Sequence, residues 1–249
     1  MSEPLIVVQG LSLAWGSRVL LREASFEVAR GDVFVILGGS GSGKSTLLRH
    51  LIGLEMPRAG HIEIAGIGAP HLDGSAPEYG VMFQSGALFS SLSVAENVAF
   101  ALHEWTDLPP EAISAIVKAK LALVGLEGAE ERLPAELSGG MKKRAAIARA
   151  MAFEPNLLFL DEPSAGLDPI SAAELDELIT VLNRALGLTV VMVTHELASI
   201  LRIGKSCILL DPESQSIIAS GDPKQLRAES DDPRVRKFFN RETSVPQWQ

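Results

Sequence analysis

The sequence predicts an α/β fold in which a buried, mostly parallel sheet presents functional loops at the carboxyl ends of its strands. Three largely apolar runs lead to this prediction, at 33–37, 157–160 and 188–194, and each is followed directly by glycine or by charged residues. A mostly helical stretch separates the first run from the second. With 249 residues, the chain is long enough for one domain that carries a subdomain.

The composition narrows the classes of function. The formal net charge of -9 argues against a nucleic-acid partner, because phosphate backbones bind positively charged faces. Cys207 is the single cysteine, which excludes a disulfide framework and favours a reducing compartment. No apolar run approaches the ~18 residues of a membrane-spanning helix, and the first residues lack a signal-peptide pattern. Any role at a membrane is therefore expected to depend on a partner.

The N-terminal region is expected to form strands at 5–8, 11–15 and 20–28, with a turn at 16–17. Trp15 ends the second of these strands. An aromatic ring beside a phosphate-binding loop can stack on a nucleobase, because both surfaces are large and flat. The ring could equally serve only to pack the sheet, and the residue by itself leaves both interpretations open.

The glycine-rich segment after the first apolar run matches the phosphate-binding pattern G-x-x-x-x-G-K-[ST], between a predicted strand and a predicted helix at 46–52. Glycines let successive backbone N–H groups face a phosphate, and the helix N-terminus adds positive potential. Lys44 supplies a cation and the Ser45 hydroxyl can bind Mg²⁺. A flexible linker is the weaker alternative, because linkers do not continue into an apolar helix. The residues expected to hold the triphosphate are Gly38, Gly39, Ser40, Gly41, Ser42, Gly43, Lys44, Ser45 and Thr46.

Two short strands are expected after this helix. The segment 60–66 alternates like an edge strand, and the run 81–83 is a short apolar strand that ends at Gln84. Beyond Gln84 the sequence changes from sheet to loop and helix.

A helical insertion is expected at 88–153, between two sheet-forming parts of the chain. Ser93 and Glu96 have the spacing of a capping box, which indicates a helix start. Apolar residues at helical spacing predict an amphipathic helix over 110–125.

A second glycine pair opens another predicted helix, at 142–151. Ser138, Gly139 and Gly140 precede it, so free backbone donors are expected at its N-terminus. Three basic residues at 142–144 would oppose the helix dipole in the first turn, and a bound anion would offset that effect. A solvated basic face is the usual meaning of such a run, but the preceding glycines favour anion binding.

Two carboxylates, Asp161 and Glu162, end the second apolar run. Parallel strands end at one edge of a sheet, so both are expected near the phosphate-binding loop. One carboxylate could hold Mg²⁺ while the other orients and deprotonates an attacking water. His195 ends the third run at the same edge. The histidines expected on the surface or in loops are His50, His61, His71 and His103.

The C-terminal part is expected to complete the sheet. A turn at 164–168 leads into a predicted helix at 170–186, and further strands are expected at 206–210 and 217–220. A polar tail follows at 230–249.

These motifs, in this order, resemble those of an ABC-type ATPase subunit over about 5–226. The resemblance implies a P-loop NTPase fold, with a RecA-like core, an antiparallel β subdomain and an inserted α-helical subdomain. The whole chain, 1–249, would form a single ATPase domain, with the insertion at 88–153 and a C-terminal extension at 230–249.

The resemblance also implies ATP and Mg²⁺ as cofactors and gives each candidate residue a role. The residues that would act in catalysis are Lys44, Gln84, Glu162 and His195. Those that would bind Mg²⁺ are Ser45, Gln84 and Asp161. Trp15 would stack on adenine, with tryptophan in place of the commoner tyrosine. A second copy would contact the γ-phosphate in a head-to-tail dimer through Ser138, Gly139 and Gly140.

Met141 departs from the family pattern, since most members have glutamine there. With the segments 83–89 and 232–239, it resembles the Mla/Mce-type branch of lipid-transport ATPases. In that branch the C-terminal extension packs on the neighbouring ATPase. Methionine cannot make the hydrogen bonds of glutamine, so that contact is not expected here.

Membership of this branch would imply a peripheral ATPase on the cytoplasmic face of the inner membrane that drives phospholipid transport. Its partners would be MlaE-like permease subunits contacting residues around 85–105, a small regulatory subunit and a lipid-binding Mce-domain protein. A soluble assembly ATPase of the iron–sulfur scaffold type, or an importer ATPase for another substrate, would carry the same motifs. A translation or DNA-repair ATPase fits less well, because the chain has one nucleotide-binding unit and no coiled-coil pattern.

Overall fold

The computed structural model describes residues 3–71 and 76–240. The strands are β1 (Pro4–Trp15), β2 (Arg18–Ala29), β3 (Val33–Gly38), β4 (Ala59–Ile64), β5 (Gly80–Met82), β6 (Leu157–Asp161), β7 (Thr189–Val193), β8 (Ser206–Asp211) and β9 (Ser216–Gly221). The helices are α1 (Lys44–Leu51), α2 (Val94–Trp105), α3 (Pro110–Leu123), α4 (Gly139–Ala150), α5 (Pro169–Leu186), α6 (Leu197–Ile203), α7 (Pro223–Glu229) and α8 (Pro233–Asn240). A short 3₁₀ helix, Pro134–Glu136, precedes α4.

The strands form two sheets. A three-stranded antiparallel sheet has the order β2-β1-β4, and a six-stranded sheet has the order β5-β6-β7-β3-β8-β9. In the larger sheet every neighbouring pair is parallel except β8 and β9. The predicted combination of a mostly parallel sheet with an antiparallel one is confirmed.

The two strands predicted at 5–8 and 11–15 are one irregular strand, β1. Its pairing with β2 shifts between Val8 and Leu11, and Gly10 between them has φ of 58°. A shift of this kind lets the chain change register without ending the strand. The prediction of two strands was therefore wrong, since the glycine marks an irregularity and not a break.

The larger sheet is buried on both faces. Along β3, Val33, Val35 and Leu37 pack with the helices of one side, whereas Phe34 and Ile36 pack with α1 and the smaller sheet on the other. A strand covered on both faces needs apolar residues at every position. This explains why the strand reads as a continuous apolar run.

Gln215, in the turn between β8 and β9, joins the two sheets. Its backbone oxygen accepts from the Arg22 amide at 2.9 Å, and its Oε1 accepts from Arg22 Nε at 2.7 Å. Its Nε2 donates to the carbonyl of Val19 at 3.0 Å. The smaller sheet is thereby attached to the edge of the larger one through β2.

Helices α2, α3 and α4 lie between β5 and β6 in the sequence. The predicted capping box is present, because Ser93 Oγ accepts from the Glu96 amide and Glu96 Oε2 accepts from the Ser93 amide. Asn97 is fully buried, and its Nδ2 lies within 3.1 Å of the carbonyl oxygens of Phe89 and Leu92. The side chain of Asn97 therefore fixes the loop in front of α2.

The predicted polar tail contains a helix, α8, that packs on its own chain. Val235 and Phe239 are buried in the main core, although the remainder of the helix is mostly polar. Arg234 also reaches Asp211 at the end of β8, at 3.4 Å. The rest of the predicted extension, 241–249, lies outside the described residues. Within the described ranges, every helix is too short or too polar to span a bilayer.

Candidate functional site

The strand order brings the predicted motifs to one edge of the larger sheet. Strands β5, β6, β7 and β3 are parallel neighbours, so the loops that follow them leave the sheet side by side. Gln84 follows β5, Glu162 follows β6, His195 follows β7 and the glycine-rich loop follows β3. Residues distant in sequence thus meet at a single edge.

The glycine-rich loop, 38–43, has a backbone that requires glycine. A Cβ on Gly38 would lie 2.8 Å from the carbonyl oxygen of Leu210 and would overlap Ser42 Oγ. Gly43 has φ of 94° and caps α1 without a side-chain hydrogen bond. The N-terminus of α1 therefore opens on the concave side of this loop, in a geometry suited to an anion.

Lys44 lies over the loop that precedes it. Its Nζ donates to the carbonyl oxygens of Gly38 at 2.8 Å and Gly39 at 3.0 Å. Burial lowers the pKa of Lys44, and the nearby carboxylates of Glu162 and Asp161 oppose that shift. Lys44 is thus a cation close to both the loop and the acidic pair.

The acidic pair has an unusual backbone and a histidine partner. Glu162 has φ of 47°, and its amide donates to the carbonyl of Val193 at 2.8 Å, next to the start of the loop that carries His195. His195 Nδ1 lies 2.8 Å from Glu162 Oε1, with the Glu162 side chain buried and the His195 side chain exposed. The histidine therefore orients one carboxylate oxygen and leaves the other for a second partner.

Four buried polar side-chain atoms have no hydrogen-bond partner within the described part of the chain. Three belong to the acidic pair and the loop after it, and one belongs to the glycine-rich loop. They are Ser42 Oγ, Asp161 Oδ1, Glu162 Oε2 and Ser164 Oγ. Native proteins rarely leave such atoms unsatisfied, and their grouping in two neighbouring loops marks a place built for a polar ligand.

Asp161 has the chemistry of a metal ligand. Burial, followed by the charge of Glu162, raises the pKa of Asp161 above its ordinary value. Ser45 and Gln84 are exposed, and both offer oxygen atoms, the donors that Mg²⁺ prefers. No cluster of three His, Cys, Asp or Glu side chains is present in residues 3–71 and 76–240. This donor set fits a Mg²⁺ ion held largely by phosphate oxygens, which is how proteins usually bind it.

Trp15 lines the same cleft as the glycine-rich loop. The cleft is bordered by Trp15 and Leu20 on the smaller sheet and by residues 41–46. The indole is 60% exposed, so one face can receive a ligand, and the Arg49 guanidinium lies 5.7 Å from the ring centroid. The structure therefore brings Trp15 together with the phosphate-binding loop, as the stacking interpretation requires.

Ser138 and Gly140 line a different cleft. That cleft is formed by 125–129, Arg132, Arg144 and Glu174, and it shares no residue with the cleft at Trp15. Ser138 caps α4 by accepting from the Met141 amide at 3.3 Å. The cleft at Ser138 and Gly140 thus lies apart from the cleft at the glycine-rich loop of the same chain.

Helix α4 starts at Gly139, three residues earlier than predicted. The basic run 142–144 consequently lies in the second turn, where it does not oppose the helix dipole as expected. Lys143 is buried and donates to the carbonyl oxygens of Gln84 at 2.6 Å and Glu162 at 3.2 Å. Arg144 instead pairs with Glu174 at 2.9 Å. The expectation that this run faces a bound anion is therefore wrong for Lys143, whereas Arg144 lines the cleft at Ser138 and Gly140.

Sequence reasoning missed Lys143 and Arg49 and misplaced His50. Lys143 precedes the buried Ile147 by one helical turn, and this spacing could have indicated that it points inward. No sequence signal pairs Arg49 with Trp15. His50 was expected at the surface but is buried in α1, where Nδ1 lies 2.8 Å from the Thr46 carbonyl.

Fold and site together define a nucleotide-binding protein with a phosphate loop, an acidic pair and a histidine at one sheet edge. The chain belongs to the ABC transporter family, whose model matches residues 21–165, more than half of the sequence. The chain is therefore a member of the ATP-binding, ATP-hydrolysing class of that family.

Full-length relatives narrow the class. The chain is 41% identical to the intermembrane phospholipid transport system ATP-binding protein MlaF of Haemophilus influenzae, over 99% of this chain and 94% of that protein. It is equally similar, at 41%, to MlaF of Escherichia coli K12, over 95% and 88% of the two chains. A probable ribonucleotide transport ATP-binding protein, Mkl of Mycobacterium tuberculosis, is 39% identical over 94% of this chain and 66% of its own length.

Solved structures confirm the predicted P-loop NTPase fold. The cbiO1 protein of Clostridium perfringens, part of the ABC transporter complex cbiONQ, superposes with a TM-score of 0.81 at 31% identity, over 92% of each chain. The ATP-binding cassette MJ0796 superposes with a TM-score of 0.76 at 27% identity, over 87% of this chain and 98% of that one. That structure is a dimer in a post-hydrolysis state with ADP and phosphate bound.

Proposed function

We propose that this chain is the ATP-hydrolysing subunit of a transporter that moves phospholipid between membranes of the cell envelope. It acts as a head-to-tail dimer on the cytoplasmic face of the inner membrane, bound to MlaE-like permease subunits. A small regulatory subunit and a lipid-binding Mce-domain protein complete the assembly. The observation that carries the ATPase site is the grouping of Ser42 Oγ, Asp161 Oδ1, Glu162 Oε2 and Ser164 Oγ, all buried and without a partner in the described residues.

The site binds ATP through two elements on different sheets. The N–H groups of the glycine-rich loop and of the α1 N-terminus hold the phosphates, with Lys44 as a nearby cation. Trp15 stacks on the adenine ring through the flat face of its indole. Ser45, Gln84 and Asp161 would hold Mg²⁺, which would neutralise charge on the phosphate oxygens.

Glu162 is the general base for the attacking water. Its Oε1 accepts a hydrogen bond from His195 Nδ1 at 2.8 Å, so its unpartnered Oε2 can accept a proton from water. Gln84 follows β5 on the neighbouring strand and orients the same water. Ser138, Gly139 and Gly140 of the second copy close the site over the γ-phosphate. The separation of the two clefts within one chain supports this arrangement.

An exposed aromatic pair supports a docking surface for the permease. Phe89 and Phe100 are 45% and 47% exposed, with ring centroids 4.8 Å apart. Arg149 donates to the carbonyl of Ala87 at 2.7 Å and lies over the Phe89 ring at 5.8 Å. This surface continues directly from the loop of Gln84, so a change at the nucleotide can reach it.

Phospholipid as cargo is supported by the MlaF relatives, which are ATP-binding proteins of intermembrane phospholipid transport systems. These relatives match 99% and 95% of this chain, and their own lengths are covered to 94% and 88%. The Mkl relative favours a second candidate, an importer ATPase for another substrate, at 39% identity. The two candidates share every residue of the ATPase site, so only the cargo separates them.

The cargo is tested by purifying the intact assembly with its membrane partner and identifying bound lipid by mass spectrometry. The assembly is then reconstituted with fluorescent phospholipid, and ATP-dependent transfer is compared for wild type and Lys44→Ala. We expect co-purified phospholipid, and transfer that stops in the Lys44→Ala assembly because tight triphosphate binding is lost.

A second variant, Phe100→Asp, is compared with Lys44→Ala to separate docking on the permease from ATP binding. It places a charge on the exposed aromatic pair, so we expect the membrane partner to be lost while ATP binding persists. Recovery of the wild-type chain wholly in the soluble fraction, with no membrane protein attached, would contradict the proposal and favour an assembly ATPase. An assembly that contains no lipid and transfers none would favour the importer.

A further inference from the structure

Lys143 is a buried lysine that joins three parts of the candidate site. It stands on α4 and is 7% exposed, and its amine donates to the backbone oxygens of Gln84 and Glu162 at 2.6 and 3.2 Å. Gln84 follows β5 and Glu162 follows β6, so a single cation bridges two neighbouring loops of the sheet edge. Because both acceptors are main-chain oxygens, the contact sets the positions of the loops.

Lys143 lies on the same helix, α4, as the Ser138 segment. Ser138, five residues earlier, caps the same helix, and the cleft at Ser138 is separate from the one at the chain's own glycine-rich loop. A rigid helix of 12 residues therefore connects the segment that meets the other subunit's nucleotide with the loops of its own catalytic carboxylate. Ser138 and Lys143, five residues apart on α4, move together if the helix shifts.

A second basic residue strengthens the attachment of α4 to the same loop. Arg149 donates to the carbonyl oxygens of Gly86 at 3.0 Å and Ala87 at 2.7 Å. Ala87 has φ of 48°, an uncommon conformation for a residue with a side chain. Lys143 and Arg149 thus hold the loop after β5 at two points along one helix.

We propose that Lys143 is a positioning residue that transmits occupancy of one nucleotide site to the catalytic carboxylate of the other. The inference rests on the proposed head-to-tail dimer. When the second copy's ATP contacts Ser138, a shift of α4 is carried by the Lys143 amine to the backbone at Gln84 and Glu162. The two sites of the dimer then hydrolyse ATP cooperatively. Burial also lowers the pKa of Lys143, as expected for a cation removed from solvent.

The test measures phosphate release against ATP concentration for the full chain in complex with its membrane partner. We expect Lys143→Met to lower kcat by roughly 10–100-fold, as is typical when a supporting contact behind a catalytic group is removed. The Hill coefficient should fall from about 2 towards about 1, since coupling between two sites is lost. Lys143→Arg keeps a charged donor and should restore both quantities.

Lys120 provides the matched control. It is another buried lysine, 8% exposed, but its amine pairs with Glu154 at 2.8 Å, on the helical side of the molecule. Lys120→Met should lower the melting temperature as Lys143→Met does, with the Hill coefficient and the kcat per folded protein unchanged. If Lys143→Met does not fold, Lys143→Gln, which keeps a neutral donor, takes its place.

Three outcomes would overturn the inference. A cooperative wild type together with an equally cooperative Lys143→Met would refute the inference and leave the proposed ATPase standing. A Lys143→Arg assembly as slow and uncooperative as Lys143→Met would show that the charged donor is not what matters. A wild-type assembly that neither binds nor hydrolyses ATP would refute the proposed function itself, and the inference with it.

Discussion

Glu162 combines a strained backbone, a histidine partner and a buried unpartnered oxygen. A positive φ at a residue with a side chain costs about 1–3 kcal/mol and persists only where the surroundings enforce it. Here the enforcing contact is the hydrogen bond from its amide to Val193 in the neighbouring strand. The strain turns the side chain away from the course of β6 and towards His195.

Glu162→Gln should retain ATP binding and lose hydrolysis. The amide is nearly isosteric and still contacts His195, but it cannot accept a proton from water, so we expect phosphate release to fall by ~10²–10⁴. Calorimetry with ATP and a phosphate-release assay would check both parts. Glu196→Gln, which alters the carboxylate directly after His195 in the sequence, is the control and should keep turnover. Wild-type turnover in Glu162→Gln would exclude Glu162 as the base.

Asp161→Asn should stabilise the nucleotide-free protein while abolishing Mg²⁺-dependent hydrolysis. The folded pKa of Asp161 is raised above the ordinary value of 3.8, so the folded chain holds this proton to a higher pH than the unfolded chain does. Between these two pKa values the stability contributed by Asp161 falls as the pH rises, and above both the penalty is complete. At neutral pH we expect Asn to raise the free energy of unfolding by ~0.5–2 kcal/mol.

Urea unfolding at two pH values checks the sign of this effect. The free energy of unfolding of Asp161→Asn should exceed that of wild type at pH 7, and this difference should vanish below the ordinary pKa of 3.8. An Asp161→Asn protein that is less stable than wild type at neutral pH would contradict it.

Within α2, the side chain of Asn97 fixes the position of the loop that precedes the helix. Asn97 Oδ1 accepts from the Phe89 amide at 2.8 Å, and Nδ2 donates to carbonyls that include that of Ser93, at 2.9 Å. Asn97 is completely buried, so its amide makes the hydrogen bonds to these backbone groups that water would otherwise make. The backbone of the exposed Phe89 is therefore held by a residue of the protein interior.

Asn97→Ala should lower the free energy of unfolding by ~2–4 kcal/mol, because it leaves buried backbone groups without partners. Amide hydrogen exchange should accelerate in the loop around Phe89 before it does so elsewhere. Thr106→Ala is the control at the other end of the helix, where Oγ1 donates to the Leu102 carbonyl at 2.6 Å, and we expect a loss of only ~1 kcal/mol. Equal effects of the two substitutions on the loop would contradict the assigned role of Asn97.

Elements that are specified by a pattern within a few neighbouring residues could be predicted from the sequence. Contacts between elements could not. The strand β3, the loop after it and the cap of α5 at Asp168 each have a chemical pattern within a few residues. The amine of Lys143 depends on which loops pack behind α4, a relation that residue spacing does not encode. The single strand β1 was predicted as two strands for a related reason. Whether Gly10 ends a strand or only shifts its register can be decided only once the partner strand is known.

At the scale of the whole molecule, α8 belongs to the core of its own chain. Phe239 is 2% exposed and Val235 is fully buried, although the segment that precedes the helix is polar. Asp232 contacts Arg234 within this turn, and these contacts lower the pKa of Asp232 to about 2. The tail therefore contributes to the fold before any neighbouring subunit binds it.

Phe239→Ala should destabilise the isolated chain by about 3 kcal/mol, because a buried aromatic ring is removed from the core. Arg236→Ala, at an exposed position of the same helix, should change stability by less than ~0.5 kcal/mol. Urea denaturation at low protein concentration measures both. A Phe239→Ala protein as stable as wild type would mean that this ring acts only between subunits.

The attachment of the two sheets through Gln215 has a consequence for which ligands fit. Trp15 stands on the smaller sheet and the glycine-rich loop on the larger, so the gap between a stacked base and a cradled phosphate is fixed by how the sheets are joined. If ATP binds as proposed, its phosphate chain has to span this gap from the stacked base to the loop. Gln215, together with the packing of Phe34 and Ile36 against the smaller sheet, would thus influence which ligands fit without touching them.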